Sequence, residues 1–370
     1  MNALAQEIAA MIAADGPISL ERFMTLALLH PQLGYYRTRR PIGAEGDFIT
    51  APEIHQMFGE LIGLWAVEVW QQMGEPSPFL LVELGPGRGT LMADLLRAAK
   101  VRPAFLQAAH IHLVEASEAL MDVQRETLAG ARITWHRAIE DIPDGPAIII
   151  ANEFFDALPI RQYVSTGQGL CERVVGLDAA GELCFGLAPT GAPASSHAAQ
   201  GAIIEVGAAA QAAMRTLAAR LASMPGALLA IDYGYAQPGA GDTLQALQKH
   251  QPDDPLRAPG EADLTSHVDF AALTRAAQAE GAAVYGPVSQ GKFLARLGIF
   301  ERAAMLKRNA AEAQAAAIDA ALARLALPGP ESGPNASMAE LFKVLAIISP
   351  DLPTPPGFDR IAGQDPGQDQ

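Results

Sequence analysis

Cysteine and aromatic residues are scarce in this chain. Only two of its 370 residues are cysteines, Cys171 and Cys184, and 6% of the residues are aromatic. Two isolated thiols without CxxC spacing provide neither a disulfide framework nor a zinc site built on thiolates. We therefore expect ordinary thiols in a reducing compartment, and no resident metal ion.

Basic residues are also few. The chain has 26 Lys and Arg residues against 41 Asp and Glu residues, which leaves a formal net charge of −15 at pH 7. A charge of this sign repels the phosphate backbone of nucleic acids. The composition therefore argues against nucleic acid as a partner, and it favours a basic partner such as a peptide that carries arginine.

Long uncharged apolar runs are absent as well. No stretch is long enough to cross a bilayer, so we expect a protein that is not embedded in a membrane. The N-terminal sequence MNALAQEIAAMIAADG contains Glu7 and Asp15 and no basic region, unlike a secretory or mitochondrial leader. These features predict a cytoplasmic protein.

Strand-like and helix-like patterns alternate through the middle of the chain. Short apolar runs predict five strands, at residues 79–84 (FLLVEL), 111–115 (IHLVE), 133–136 (ITWH), 147–151 (AIIIA) and 227–231 (ALLAI). Periodic apolar residues predict intervening helices at 91–98 and 120–128. This alternation is typical of an α/β fold, in which helices cover both faces of a parallel, Rossmann-like sheet.

Composition and pattern divide the rest of the chain around this core. The expected parts are a helical N-terminal segment and loop at 1–75, the core at 76–300 with an antiparallel β insertion at about 161–205 and a polar insertion at 233–270, C-terminal helices at 301–350, and a disordered tail at 351–370. In the first part, a capping box from Thr50 to Glu53 predicts the start of a long helix over 54–70.

A glycine-rich loop joins the first predicted strand to the first predicted core helix. It reads ELGPGRG over 83–89, so Glu83 precedes Gly85, Gly87 and Gly89. Glycines let the backbone turn tightly and approach a ligand closely. The spacing G-x-G-x-G differs from the G-x-G-x-x-G of dinucleotide folds, and no Lys-Ser or Lys-Thr pair indicates a P-loop. An adenosine ligand without phosphates, S-adenosylmethionine, is therefore favoured.

Polar side chains also follow the second and fourth predicted strands. Glu115 ends the second strand, where a carboxylate can accept hydrogen bonds from both ribose hydroxyls, although it could equally be a solvated residue at a strand end. Asn152 follows the fourth strand, and we include it with Glu83, Glu115 and the three glycines as a cofactor-binding candidate. The carboxyl ends of parallel strands are where such folds bind ligands.

Two acids after the fourth strand are the candidate catalytic residues. In the sequence NEFFDALP, Glu153 and Asp156 could grip two nitrogens of a guanidinium and leave the third placed to attack a methyl group. The alternative is that Asn152 or Asp156 caps a helix while Glu153 faces water. His250, His267, Asp47 and Thr50 remain open as further site residues, although Thr50 could equally act only as a helix cap.

Beyond these patterns, the chain resembles the MidA-type methyltransferases, bacterial and mitochondrial relatives of an arginine methyltransferase that assists assembly of respiratory complex I. The matching segments are HPQLGYY (30–36), GDFITAPEI (46–54), VELGPGRGTLMADLLR (82–97), ANEFFDALP (151–159), IDYGY (231–235), DTLQA (242–246), DLTSHVDF (263–270) and QGKFLARLGI (290–299).

The resemblance implies a class I methyltransferase fold, S-adenosyl-L-methionine as cofactor, and symmetric dimethylation of an arginine in a hydrophilic core subunit of complex I. It also implies that the glycines of the loop and Glu115 contact the cofactor and that Glu153 and Asp156 lie at the acceptor site. The lack of an import sequence fits a bacterial member. Two alternatives stay open: a small-molecule methyltransferase, and a non-catalytic assembly factor that binds the cofactor.

Overall fold

The computed structural model describes residues 1–38, 50–167, 169–191, 199–248, 251–329 and 337–359. Its helices are α1 (Ala3–Asp15), α2 (Leu20–Leu29), α3 (Tyr35–Thr38), α4 (Ala51–Ile54), α5 (Met57–Gln72), α6 (Thr90–Ala98), α7 (Pro103–Ala108), α8 (Glu118–Thr127), α9 (Ala208–Ser223), α10 (Phe270–Ala279), α11 (Gln290–Arg296), α12 (Ile299–Lys307), α13 (Glu312–Ala326) and α14 (Met338–Leu341).

Its strands are β1 (Ile18–Ser19), β2 (Phe79–Leu84), β3 (Ala109–Val114), β4 (Ile133–His136), β5 (Ala147–Asn152), β6 (Arg161–Thr166), β7 (Gly169–Leu177), β8 (Leu183–Pro189), β9 (Ile203–Val206), β10 (Gly226–Tyr235), β11 (Gln245–Gln248), β12 (Gln251–Pro252), β13 (Asp263–Thr265), β14 (Val268–Asp269), β15 (Ala283–Ser289) and β16 (Phe342–Ile348).

A twisted central sheet organises the molecule. Its strands run in the order β15-β16-β10-β5-β2-β3-β4. The five strands predicted from sequence, β2, β3, β4, β5 and β10, are parallel neighbours in this order, so the prediction of a parallel α/β sheet is confirmed. Strand β10 extends four residues beyond the predicted end of its run, as far as Tyr235.

Helices cover both faces of this sheet because successive strand residues point to opposite sides. In β5, Ile148 and Ile150 pack with α5, α6 and α13 on one face, whereas Ile149 packs with α9 and α10 on the other. All six β5 residues are buried. Burial on both faces explains why this strand is a continuous apolar run rather than an alternating one.

The C-terminal part differs from its prediction. Residues 301–350 are not all helical, because 342–348 form β16, which pairs antiparallel with β10 and β15. Residues 351–359 are not disordered: the Phe358 ring lies 5.4 Å from that of Phe293, and the Trp65 indole donates to the Pro356 carbonyl at 3.2 Å. A run of apolar residues inserted between two strands gains more from burial than it would on an exposed helix.

The predicted long helix over 54–70 and its capping box are also wrong in detail. His55 has an extended backbone, with φ −165° and ψ 142°, and separates α4 from α5. The Met57 backbone N–H donates to His55 Nδ1 at 3.2 Å, so the His55 side chain satisfies the first N–H of α5. The Thr50 side chain makes no capping bond, and Glu53 instead accepts from the Thr90 hydroxyl at 2.5 Å.

The N-terminal segment and the two insertions pack together. Strand β1 pairs with β7 of the antiparallel sheet β1-β7-β6-β9, and β11 to β13 form a small sheet of their own. Helices α1 and α2 share one apolar core with both insertions, in which Phe23 packs in a cluster with Val175 and Leu264. We call α1, α2, β1, β6 to β9 and β11 to β13 the accessory unit. None of the described helices is long and apolar enough to span a bilayer.

Candidate active site

A cavity of about 350 Å³ lies at the carboxyl ends of the parallel strands. The sheet supplies the ends of β2, β3 and β5, and the accessory unit supplies residues of α2 and β13. All eight predicted site residues lie at or beside it: the lining includes Glu83, Gly85, Gly87, Glu115, Asn152, Glu153 and Asp156, and Gly89 closes the same glycine loop before α6.

The glycine loop has the backbone geometry that its sequence predicts. Gly85, Gly87 and Gly89 have φ values of 61°, 54° and 80°, a region that other residues rarely adopt. A Cβ at Gly85 would lie 3.2 Å from the Phe154 ring. The loop therefore presents bare backbone to the cavity immediately before the N-terminus of α6.

Glu83 is buried beside this loop, and only 3% of it is exposed. Burial raises the pKa of its carboxyl to about 8, although the Met92 backbone N–H opposes the shift. Its Oε2 atom has no hydrogen-bond partner among the described residues, and neither does Asn152 Oδ1. Buried acceptors without donors are costly, so both atoms fit a ligand that brings N–H or O–H groups.

Glu115 is held by its own turn and by α8. Its Oε1 accepts from the Ser117 backbone N–H at 2.8 Å and its Oε2 from the Gln124 amide at 3.1 Å. The same Gln124 amide nitrogen donates to the Gly87 carbonyl at 2.8 Å, and the Trp135 indole donates to the Gln124 oxygen at 2.9 Å. A carboxylate has about four lone pairs and can accept more than two hydrogen bonds, so this position is compatible with a ribose.

The Gln124 side chain thus joins the glycine loop to Glu115, the candidate for ribose binding. Gln124 was not predicted from the sequence. Gln124 is fully buried. A glutamine within an amphipathic helix carries no sequence signal of its own, since its role depends on how α8 is rotated against the sheet.

Glu153 has an unusual backbone at the end of β5. Its φ is 50°, in the left-handed region that non-glycine residues seldom occupy. Its Oε1 accepts from the Ala51 backbone N–H at 3.2 Å and from the Asn152 amide at 3.4 Å. Burial raises the pKa of Glu153 to about 8, and the charge of Asp156 acts in the same direction. Local strain and a shifted pKa together are typical of functional sites.

Asp156 is buried close to Glu153, and 5% of it is exposed. Burial raises its pKa to about 6, against the opposing effect of a hydrogen bond with Tyr233. Its Oδ1 atom has no hydrogen-bond partner in the described ranges. The sequence alternative that Asp156 caps a helix is wrong, because residues 153–160 form turns rather than a helix.

A buried aspartate of β10 holds this turn in place. Asp232 Oδ2 accepts from the backbone N–H groups of Phe155 at 2.9 Å and Asp156 at 3.2 Å, and its Oδ1 accepts from that of Tyr233 at 2.9 Å. Burial raises the pKa of Asp232 well above its ordinary value. The sequence could have indicated it, since it lies near the end of a predicted strand just as Glu115 does.

Two further residues that line the cavity, one from α3 and one from β13, were not predicted from the sequence. The Tyr36 hydroxyl donates to Asp263 Oδ1 at 3.1 Å, and both residues line the cavity. Both occur in segments that carry the resemblance, which is the only signal that the sequence offers for them. Their sequence separation of 227 residues hides the contact.

The open candidates have different outcomes. His267 does not line the cavity; it packs edge-on against Tyr233, with the ring centroids 5.4 Å apart. Thr50 does line the cavity. His250 and Asp47 lie outside the described residues.

Known proteins match most of the chain. The model of a family of S-adenosyl-L-methionine-dependent methyltransferases matches residues 61–288. The protein arginine methyltransferase NDUFAF7 of Mus musculus, a mitochondrial protein, is 40% identical over 333 residues, which cover 82% of this chain and 76% of that protein. The Homo sapiens protein of the same name is 38% identical and covers 80% of this chain and 73% of its own length.

A solved structure has the same fold. A protein of Burkholderia thailandensis, crystallised with S-adenosyl-homocysteine bound, is 30% identical, has a TM-score of 0.82 and covers 96% of this chain and 94% of its own. The α/β sheet with its glycine loop is therefore a class I methyltransferase fold with S-adenosyl-L-methionine as cofactor. The match of both sequence and structure over most of its length shows that this chain belongs to the family of S-adenosyl-L-methionine-dependent methyltransferases.

Proposed function

We propose that this enzyme methylates arginine in a protein substrate. The observation that carries the proposal is the pair of acids that follow β5, of which Asp156 is buried and Glu153 is half-buried. Glu153 and Asp156 line the cavity, and neither forms an ion pair with Lys or Arg among the described residues. The charge of Arg324 lowers the pKa of Glu153, but it does so without an ion pair. Two neighbouring carboxylates that are largely removed from water and have no ion-pair partner are stabilised by a bound cation.

The residues around the glycine loop fit the cofactor. We propose that the backbone of Gly85, Gly87 and Gly89 lies against it, that Glu115 accepts from its ribose, and that Glu83 and Asn152 provide acceptors for its amino group. The unpartnered buried oxygens of Glu83 and Asn152 support this assignment. When bound, the cofactor supplies a methyl group activated by a sulfonium.

The acids after β5 would make the arginine side chain a better nucleophile. A guanidinium stays protonated at ordinary pH, so its nitrogens attack poorly. Glu153 and Asp156 would each accept from a different nitrogen, hold the positive charge there and leave the third nitrogen directed at the methyl group. An ionised carboxylate at either position can also accept the proton that the product releases.

The identity of the substrate is the more specific part of the proposal. We infer that it is a hydrophilic core subunit of respiratory complex I, that the product is symmetric dimethylarginine, and that the protein acts in the bacterial cytoplasm. The names of the relatives support arginine as the target. The formal charge of −15 supports a basic segment around that arginine.

Mass spectrometry of isolated complex I subunits, with this gene present and deleted, tests the proposal. We expect one arginine to lose 28 Da of methylation in the deletion strain, and the purified enzyme with labelled cofactor to restore it. A substrate with lysine at that arginine should accept no label. Label found only on a small molecule would support the alternative methyltransferase, and tight cofactor binding with no product would support the non-catalytic assembly factor.

A further inference from the structure

The short helix α4 is bonded to both ends of the cavity. Its Glu53 lines the cavity and accepts from the Thr90 hydroxyl at 2.5 Å. Thr90 is the first residue of α6 and directly follows the glycine loop. On the other side, α4 donates its Ala51 backbone N–H to Glu153 Oε1 at 3.2 Å. One helix of four residues therefore connects the glycine loop to an acid of the proposed acceptor site.

The position of α4 depends on its contacts with other elements. Isolated helices this short are marginal in water, and α4 packs against α5, α6 and α13. Its other three side chains are apolar, and apolar contacts are not directional. Glu53 is the only polar side chain in the sequence APEI, so its bond with Thr90 is the one directional side-chain contact that α4 can form.

The Ala51 N–H acts on the charge of Glu153. Burial raises the pKa of this carboxyl to about 8, and the hydrogen bond from Ala51 opposes the shift. It does so because a donor that points at a carboxylate stabilises the ionised form. The proposed reaction needs that ionised form, so a displaced α4 would weaken the interaction that favours it.

We propose that Glu53 is a positioning residue: its bond with Thr90 fixes α4, and α4 holds the Glu153 carboxylate in place to bind the guanidinium of the substrate. This inference rests on the proposed arginine methylation. Because Thr90 adjoins the glycine loop, the same bond links the position of Glu153 to the cofactor end of the cavity. Glu53 would thus act on the acceptor through Glu153 rather than by touching the guanidinium.

Steady-state kinetics of the full chain with an arginine peptide test this role. Glu53→Ala removes the acceptor, whereas Glu53→Gln keeps an oxygen that can accept from Thr90. Glu68→Ala, which changes an exposed acid of α5, is the matched control. We expect kcat/KM at pH 7 to fall about 10-fold in Glu53→Ala, less than about 3-fold in Glu53→Gln and not at all in the control. The affinity for S-adenosyl-homocysteine should change less than about 3-fold in each variant.

The pH profile separates positioning from a general loss of structure. The charged groups that act on Glu153 are Asp156, Asp232 and Arg324, and all three are retained in these variants. A weaker Ala51 hydrogen bond raises the pKa of Glu153, so the step in kcat/KM near pH 8 should move to higher pH in Glu53→Ala. The deficit of this variant should therefore shrink as pH rises. An equal deficit at every pH, or an equal fall in cofactor affinity, would overturn the inference.

A binding assay separates this inference from the proposed function. The complex with S-adenosyl-homocysteine is titrated with Nα-acetyl-arginine amide and with its neutral citrulline analogue. We expect wild type to prefer arginine, Glu53→Ala to lose most of that preference at pH 7, and Glu53→Ala to add no further loss in a Glu153→Gln background. A further loss in that background would overturn the inference, as would arginine methylation with unchanged kinetics in Glu53→Ala. A preference for arginine that depends on Glu53, without any methyl transfer, would overturn the proposed function alone.

Discussion

At the scale of single residues, the pKa of Glu153 links its geometry to the reaction. When no substrate is bound, the pKa of the Glu153 carboxyl is raised from 4.5 to about 8, because the group is removed from water and lies near the charge of Asp156. Only the ionised form can grip a cation, so kcat/KM should rise with pH up to about 8 and fall about tenfold per unit below it. A bound guanidinium lowers that pKa, so kcat should level off at a lower pH.

The matched variant for this prediction is Glu153→Gln, which keeps the size of the side chain and removes its charge. We expect a loss of about 100-fold in kcat/KM, no change in cofactor affinity and no step near pH 8. The raised pKa also means that the folded state binds the proton more tightly, so Glu153 makes wild type lose stability as pH rises from about 4.5 to about 8, and the variant should lose less over the same range. A wild-type pH profile retained in Glu153→Gln would assign the step to another group.

Gln124 provides a prediction for the cofactor end of the cavity. Its amide nitrogen bonds both Glu115 and the Gly87 carbonyl, so Gln124→Leu should release the glycine loop and the carboxylate together. Two lost hydrogen bonds of about 1 kcal/mol each predict cofactor affinity about 10- to 30-fold weaker, measured by calorimetry with S-adenosyl-homocysteine. Arginine binding at saturating cofactor should not change. Unaltered cofactor affinity would show that Gln124 only fills space.

Site residues that lie at the ends of parallel strands can be predicted from the sequence. Glu83, Glu115 and Glu153 could be placed near one another because the carboxyl ends of parallel strands share one edge of a sheet. Gln124 could not, since helix rotation decides what it contacts. Tyr36 and Asp263 could not, because their contact depends on how α3 packs against β13.

At the scale of elements, β10 does more than complete the sheet, since its Asp232 holds the turn after β5. Asp232→Ala would leave three backbone N–H groups without their acceptor, and each buried unsatisfied donor costs about 1–3 kcal/mol. We expect the free energy of unfolding to fall by at least about 3 kcal/mol. Turnover should fall even under conditions where the variant is folded, because Glu153 and Asp156 lose their fixed positions. Urea titration and kinetics at low temperature measure both effects.

Two comparisons sharpen this prediction. Asp232→Asn retains one acceptor oxygen and should lose less stability than Asp232→Ala. Asp319→Ala, an exposed acid of α13, should change stability by less than about 0.5 kcal/mol. A fully stable and active Asp232→Ala variant would mean that the turn is held by other contacts.

Some helices and strands can be predicted from the local sequence pattern, and others cannot. Apolar runs bounded by turn signals identified all five parallel strands. Strand β16 was missed because it follows Ala-rich helical sequence, and only its long-range pairing with β10 and β15 makes it a strand. The break between α4 and α5 was missed because it depends on the extended backbone of His55, which no periodicity reveals.

At the scale of the whole molecule, the described residues form three apolar cores. Two lie on the faces of the central sheet, and the third joins α1 and α2 to both insertions. The sequence predicts the N-terminal segment and the insertions as additions to a core. It could not show that segments far apart along the chain bury one another, since each looks like a separate surface feature.

Because the core of the accessory unit is separate from the two cores on the sheet, we expect that a mutation can destabilise the accessory unit and leave the cofactor site intact. Phe23 is fully buried in the third core, and Phe105 is equally buried in a core of the central sheet. Either change to Ala should cost about 3–5 kcal/mol locally. In Phe23→Ala, amide exchange should accelerate mainly in the accessory unit, and KM for the arginine peptide should rise while S-adenosyl-homocysteine binding persists. In Phe105→Ala, exchange should accelerate across the central sheet and cofactor binding should weaken. Equal acceleration everywhere in both variants would mean that the three cores unfold as one.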